Sequence, residues 1–421
     1  MRILLLTEGS RGDIEPFVAL SLGLLSAGFE VSICAGANFE AMITRAGVDF
    51  RALSVDYQQI MQSAEIGNLH GKNILSTFVR SWRNIKERFI PIIRQTLLES
   101  WQLAYDADVI IYHPKSLAGY HIAEKKGIPA FICLIAPFLA STKAFPMPLV
   151  PFKSCGSVLN KLSYKVSKAL LLSYHDVINK WRKDELGLRE KSFFDSYLQI
   201  GVRPIPIIHA VSPSVIPRPE DWPDSVIMAG YFFTDCEAGW TPPDELASFI
   251  SGGSPPVYIG FGSMGYSDPQ YLTRTVVQAV RQTGMRAILA TGWGALGVPE
   301  SADDIFCIDQ VPHSWLFPQM SAVVHHGGAG SVAAGLRAGK PNIVCPFFAD
   351  QPFWGRVVSG HNAGPEAIPI KNFNIETFSK SLKKALYDKS IISSAADIGK
   401  RIRSERGVEN AVKFICDKIG R

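Results

Sequence analysis

Short apolar runs of four or five residues alternate along the chain with longer stretches in which apolar residues recur every three or four positions. This alternation predicts strands joined by helices, the layering of a parallel α/β protein. Strands are expected at Ile3–Leu6, Val31–Ala35, Val109–Tyr112 and Phe131–Ile135. A second series begins at Val257–Phe261 and continues through Ala287–Ala290, Ile305–Ile308, Ala322–Val324 and Asn342–Cys345. Between the two series, Pro217, Pro219, Pro223, Pro242, Pro243, Pro255 and Pro256 break the pattern as a linker would. The chain is therefore expected to divide into a first domain, 1–216, a linker, 217–255, a second domain, 256–394, and a closing helix, 395–421, that packs back toward the first domain.

Composition supports this division. At 421 residues with 47% hydrophobic content the chain is too long for one core and suits two domains of about 200 residues each. A net charge of +5, with Lys and Arg dispersed, gives no support to a nucleic-acid role. The seven cysteines are odd in number and sit mostly in apolar runs, as buried thiols of a reducing compartment do. The run Ile3–Leu6 is too short for a signal peptide, and Ile128–Ala140, interrupted by Pro129 and Pro137, is shorter than the roughly 18 residues of a membrane span. A cytoplasmic protein is expected.

The densest chemistry lies in residues 323–354. An apolar strand stops at His325-His326, a turn Gly327-Gly328-Ala329-Gly330 follows, and Ser331 is placed to cap the next helix. A turn with almost no side chains, opening a helix, brings backbone N–H groups close to an anion. By spacing, Gly328-Ala329-Gly330-Ser331-Val332-Ala333 also satisfies the G-x-G-x-x-A pattern of a dinucleotide fold, with Asp350 downstream. That reading would make the chain a nicotinamide-dependent oxidoreductase. Against it, Asp350 follows Pro346-Phe347-Phe348 instead of ending a strand, and two histidines crowd the strand end. Nor is Gly339-Lys340 a P-loop, since Pro341 follows it.

Four motifs in one order carry a more specific likeness: Gly9-Ser10-Arg11-Gly12-Asp13-Ile14-Glu15-Pro16, Gly260-Phe261-Gly262-Ser263-Met264, Val311-Pro312-His313-Ser314-Trp315-Leu316-Phe317, and His325 to Ser331 with Pro346 and Asp350-Gln351-Pro352. Together they resemble UDP-sugar-dependent glycosyltransferases of the GT-B fold, in the branch of sterol and other lipid glucosyltransferases and glycopeptide-antibiotic glycosyltransferases. The resemblance implies two Rossmann-like, doubly wound parallel-sheet domains facing a cleft. It also implies a metal-independent, inverting transfer of a hexose from a UDP-sugar, with UDP-glucose the expected co-substrate and no cofactor or metal. Ser263, His326, Gly328, Gly330 and Ser331 would then hold the donor diphosphate, and Asp350 and Gln351 the sugar hydroxyls. The nucleoside would lie against Gln310 and Val311. Plant relatives stack a Trp on uracil where this chain has Gln310, so Trp293 is the substitute, and uridine over thymidine is not secured.

Asp13, in a glycine loop after the first strand and just before Pro16, is the first candidate for the base that takes the acceptor proton. An exposed carboxylate is a poor base and would need desolvation or a partner to raise its pKa. His113 ends another strand, so two arrangements stand: Asp13 as base beside His113, or His113 as base oriented by Asp13. Phe78 and Trp82, on the basic amphipathic stretch from Ile74 to Trp101, and Phe138 and Phe145 are the candidate acceptor contacts. They favour a sterol, lipid or apolar aglycone, and the stretch itself suits peripheral membrane contact. A catalytically silent lipid-binding relative would share these features. Two motifs are set aside: Asp106-Ala107-Asp108 reads as a helix-to-strand junction, and His325-His326, as strand neighbours, point to opposite faces and make no zinc site.

Overall fold

The computed structural model of the chain describes residues 1–55, 74–150, 152–154, 156–167, 173–234, 240–262, 264–266, 268–291, 296–299 and 303–420, with 74–88 by backbone alone. Its first sheet holds β1 (Arg2–Leu6), β2 (Glu30–Gly36), β3 (Asp49–Leu53), β4 (Val109–Tyr112) and β5 (Ala130–Leu134). After a short antiparallel hairpin, β6 (Gln199–Ile200) and β7 (Arg203–Pro204), it is completed by β8 (Ile207–His209) and β9 (Val226–Met228). The spatial order is β3-β2-β1-β4-β5-β8-β9, all parallel. The second sheet, β10 (Val257–Gly260), β11 (Ala287–Ala290), β12 (Ile305–Ile308), β13 (Ala322–His325) and β14 (Asn342–Val344), runs β12-β11-β10-β13-β14, also parallel.

In both sheets the central strands are buried on each face, which is why they read as unbroken apolar runs. In each, the chain order reverses beside the first strand of the series, β1 and β10. Loops leaving such a switch point open a crevice at the carboxyl ends of the strands, where α/β proteins hold ligands. The helices Arg11–Ser26 and Ala329–Arg337 both start at those ends.

The proline-rich segment 217–255 is more than a tether. Val226–Met228 adds the last strand to the first sheet, held by the Arg218 guanidinium, which donates to the carbonyls of Pro219, Trp222, Pro223 and Val226. At the other end, the expected closing helix is two helices. Lys389–Ser404 packs on Ala329–Arg337 in the second half, whereas Gly407–Ile419 lies on Arg11–Ser26, with Ala411 and Ile415 in the core under β1. Asn410 Nδ2 fastens it by donating to the Ala229 carbonyl at 2.9 Å.

The long helix Ile74–Leu103 contains Pro91 and buries Ile93 and Leu97 in the first core, so its final turns are packing surface. The side chains of Phe78 and Trp82 lie outside the described residues. Asp106 makes a bidentate pair with Arg51, at 2.7 and 3.0 Å, and Asp108 accepts from the Arg2 N–H, which accounts for that acidic pair structurally. No helix among the described residues is long and apolar enough to cross a membrane.

Candidate active site

A cleft of about 3040 Å³ runs between the two sheets, and the loop after β1 forms one wall. Gly9 takes φ +133°, and a Cβ there would collide with the Asp13 carboxylate. Ser10 caps the helix that starts at Arg11. Asp13, at its third position, turns back to accept from the Ser10 N–H at 2.9 Å and the Ser10 hydroxyl at 3.1 Å, a capping box. Pro16 therefore sits in the second turn of the helix and not at its start.

The other carboxylate oxygen of Asp13 accepts from Lys115 Nζ at 2.6 Å. Burial pushes the Asp13 carboxyl up, but Lys115, His113 and the Ser10 bonds outweigh it, and the group is held below its usual range. The partner found for this acid thus lowers its pKa, where the sequence reading asks for a rise. His113 is buried beside it and pushed down to about 3, first by desolvation and then by Lys115. Its Nδ1 accepts from the Lys115 backbone N–H at 3.2 Å, which leaves the ring proton on Nε2. Nε2 is buried with no hydrogen-bond partner among the described residues.

The opposite wall begins where β13 ends. His325 is structural: Nε2 meets Asn342 Oδ1 at 2.9 Å and Nδ1 accepts from the Gly327 N–H at 3.1 Å. His326 points the other way, into the cleft, its ring wedged between two glycines. A Cβ on Gly262 would lie 2.9 Å from its Cε1, and one on Gly328 would lie 2.5 Å from its Nε2. Desolvation, reinforced by His325 and His313, lowers His326 to about 3, so the ring is neutral, and its buried Nδ1 has no partner among the described residues. The helix cap is Gly328, and Ser331 is the third helical residue, which corrects its expected capping role. Because the first helical bond runs from Val332 to Gly328, the N–H groups of Ala329, Gly330 and Ser331 have no acceptor within the helix.

The two helix starts face each other: a Cβ on Gly330 would stand 3.7 Å from Gly12 Cα. Two positive dipole ends and Lys115 thus converge on one space, the electrostatics of a polyanion site. Asp350 borders the same space. Burial raises its carboxyl, the bond from Trp354 Nε1 at 2.9 Å lowers it, and Lys115 and Asp13 both act on it across the cleft. Ala349, just before it, is held at φ +57°, a left-handed conformation that an L side chain adopts at a cost. Gln351 is otherwise engaged. Its Oε1 accepts from the Phe347 and Phe348 N–H groups at 2.7 and 3.1 Å, and its Nε2 meets Met264 Sδ, so it supports the loop that carries Asp350.

Gln310 and Val311 line the cleft, while Ser263 and Trp293 lie outside the described residues. Trp240 and Trp315, with ring centroids 5.2 Å apart, supply aromatic surface in the same wall. His313, stacked on Phe317 at 4.2 Å and pushed down to about 4 by burial, adds a neutral imidazole. At the far end Phe89, Ile93, Phe138, Leu139, Met147 and Leu149 form an apolar arm. Phe145 is not part of that lining: it meets Phe353 at 6.3 Å and ties the first half to the helix Gln351–Gly360. Lys115 and Trp240 are residues that sequence reasoning missed, while His313 and Trp315 were read within a motif but given no role. Lys115 had a signal, since it lies two residues past a strand end that already carried His113.

Comparison with known proteins agrees with this geometry. Residues 3–145 match the glycosyltransferase family 28 N-terminal domain, and 295–413 match the erythromycin biosynthesis protein CIII-like C-terminal domain. A sterol 3-beta-glucosyltransferase of Aspergillus clavatus is 37% identical over 99% of this chain, which spans 29% of that protein. Sterol 3-beta-glucosyltransferase UGT80A2 of Arabidopsis thaliana is 34% identical over 98% of this chain and 65% of its own length. Among solved structures, the calicheamicin glycosyltransferase CalG4 aligns over 100% of this chain and 98% of its own, with a TM-score of 0.71 at 17% identity. The glycotransferase of kitacinnamycin aligns over 99% and 98%, with a TM-score of 0.72 at 17% identity. Two sheets facing a cleft, helix starts opposed across it and both domain types in sequence order have one reading: the chain has the GT-B fold of these glycosyltransferases.

Proposed function

We propose that the protein is a sterol glucosyltransferase that moves glucose from UDP-glucose to a sterol hydroxyl with inversion at the anomeric carbon. The observation that carries this reading is the opposition of Asp13 and the Gly328–Ser331 helix start across one cleft, with an apolar arm leading to it. The relatives, sterol 3-beta-glucosyltransferases, support a sterol as the acceptor.

In this mechanism the acceptor hydroxyl lies between Asp13 and the anomeric carbon. Its oxygen attacks from the face opposite the diphosphate, its proton passes to the Asp13 carboxylate, and the bond to the diphosphate breaks. Charge on the leaving UDP grows against the N–H groups of Ala329, Gly330 and Ser331, the helix dipole and His326, donors that need no metal to act. Asp13 is favoured over His113 as base because its carboxylate is ionised, whereas the free nitrogen of His113 carries the proton. Asp350, with Trp354 orienting it, accepts from the sugar hydroxyls, and Trp240 and Trp315 offer a stacking surface for the nucleoside.

The test is incubation with UDP-glucose and cholesterol or ergosterol, with and without EDTA, followed by mass analysis and NMR of the anomeric proton. A β-linked sterol glucoside formed equally with EDTA supports the reading. An α-linkage, dependence on a divalent ion, or transfer only to phenolic or macrocyclic acceptors would replace it.

A further inference from the structure

The helical turns from Ser157 to Ser167 present their apolar side to solvent. Asn160 and Tyr164, one turn apart, are buried and anchor the segment, with Asn160 Nδ2 donating to the Lys143 carbonyl at 3.0 Å. At about 100° per residue, Val158, Leu159, Leu162 and Val166 share one arc on the opposite side. They are 70%, 54%, 44% and 39% exposed, and Phe152, just upstream, is 42% exposed. A globular protein turns such a stripe inward unless something covers it.

Charge identifies the cover. Lys161 and Lys165 border one side of the arc, and Lys153 adjoins Phe152. From Ser141 to His175 the sequence contains no Asp or Glu. Asp221, an acid that Lys161 acts on electrostatically, accepts from Thr142 and the Lys143 N–H. An outward apolar arc bordered by lysines is the pattern of a helix lying in the interface of an anionic bilayer, which attracts each nearby Lys. The segment also adjoins the cleft: Met147, Leu149, Ser167 and Tyr174 line the apolar arm at this end.

We infer that this face docks on an anionic membrane surface, so that an acceptor dissolved in the bilayer enters the arm past Leu149 and Ser167 without crossing water. The delivery half rests on the lipid-acceptor reading above. The docking half does not.

Co-sedimentation of the full chain with phosphatidylcholine vesicles, with and without phosphatidylserine, tests the docking. Binding to the phosphatidylserine vesicles that salt releases is expected. It should weaken at least about ten-fold in Leu159→Glu/Leu162→Glu, because two leucines lose their place in the acyl boundary. Tyr387→Glu, at the exposed end of the helix Ile375–Tyr387 in the second half, should bind like the parent. A thermal shift with UDP shows that each variant is folded. Parent protein that ignores the anionic vesicles, or a double variant that binds them normally, overturns the proposal. The double variant should also glucosylate cyclodextrin-delivered sterol normally and vesicle-embedded sterol poorly. Failure of both deliveries in the parent would remove the sterol reading while the sedimentation still decides the docking.

Discussion

Asp13 is ionised by design of its neighbours: Lys115 at 2.6 Å and two Ser10 bonds outweigh its burial. Replacing Lys115 with Met removes the cation, so the Asp13 pKa rises and the acidic limb of the kcat pH profile should move to higher pH. An unmoved limb would show that another group takes the proton. Asp13→Asn should lose at least about a hundred-fold in turnover while UDP affinity, measured by calorimetry, is retained. Gln351 makes a different prediction. Truncation to Ala leaves the Phe347 and Phe348 N–H groups without their acceptor, costing about 1–3 kcal/mol in denaturant unfolding, an effect that contact with the sugar alone would not produce. Asp13 could be picked out in the sequence because glycines and a proline frame it. The engagement of Gln351 with its own loop could not, since it depends on how Phe347 to Ala349 fold back.

The two opposed helix starts are the working parts at the next scale, and glycine is what lets the ligand near them. Gly328 has ordinary dihedrals, φ −63° and ψ 142°, so Gly328→Ala strains nothing in the backbone. Its methyl would meet the His326 ring instead. UDP affinity should fall at least about ten-fold with little change in melting temperature; equal affinity would show that the ring has room to move. The inner strands were legible because both of their faces are apolar, as in β1, β4 and β10. The strands Asp49–Leu53 and Val226–Met228 were not. Both are edges: the first mixes exposed Asp49 and half-buried Arg51 with apolar residues, and the second is three residues among prolines. Turn chemistry also misled at Ser331, where a shift of the cap by three residues, to Gly328, moves a hydroxyl from the helix boundary into its first turn.

Across the whole molecule, six histidines are held neutral by burial: His113 and His326 near 3, His209, His313 and His325 near 4, and His121 well below its ordinary value. In the unfolded chain each would titrate near 6.5. Their folded pKa values are depressed, so the stability they contribute is complete above about pH 6.5 and is lost as pH falls toward 3–4. Asp13 acts in the same direction at lower pH, and Asp350, raised on folding, acts oppositely. Unfolding near pH 5 should therefore take up about five protons, measured as the dependence of the calorimetric enthalpy on buffer ionisation heat. Uptake of one or two would mean that these rings are charged in the folded chain.

The return of Gly407–Ile419 to the first half also decides how the chain could be recombined. The second half is not a C-terminal piece but an insert, entered between Thr234 and Trp240 and left at Glu405, whose carboxylate already accepts from Ser212 in the first half. A chimera made with one junction would bring in a foreign last helix, whose counterpart to Val408 must fit against Gly23 of the host. With two junctions, the host would keep its own tail and exchange only the second half.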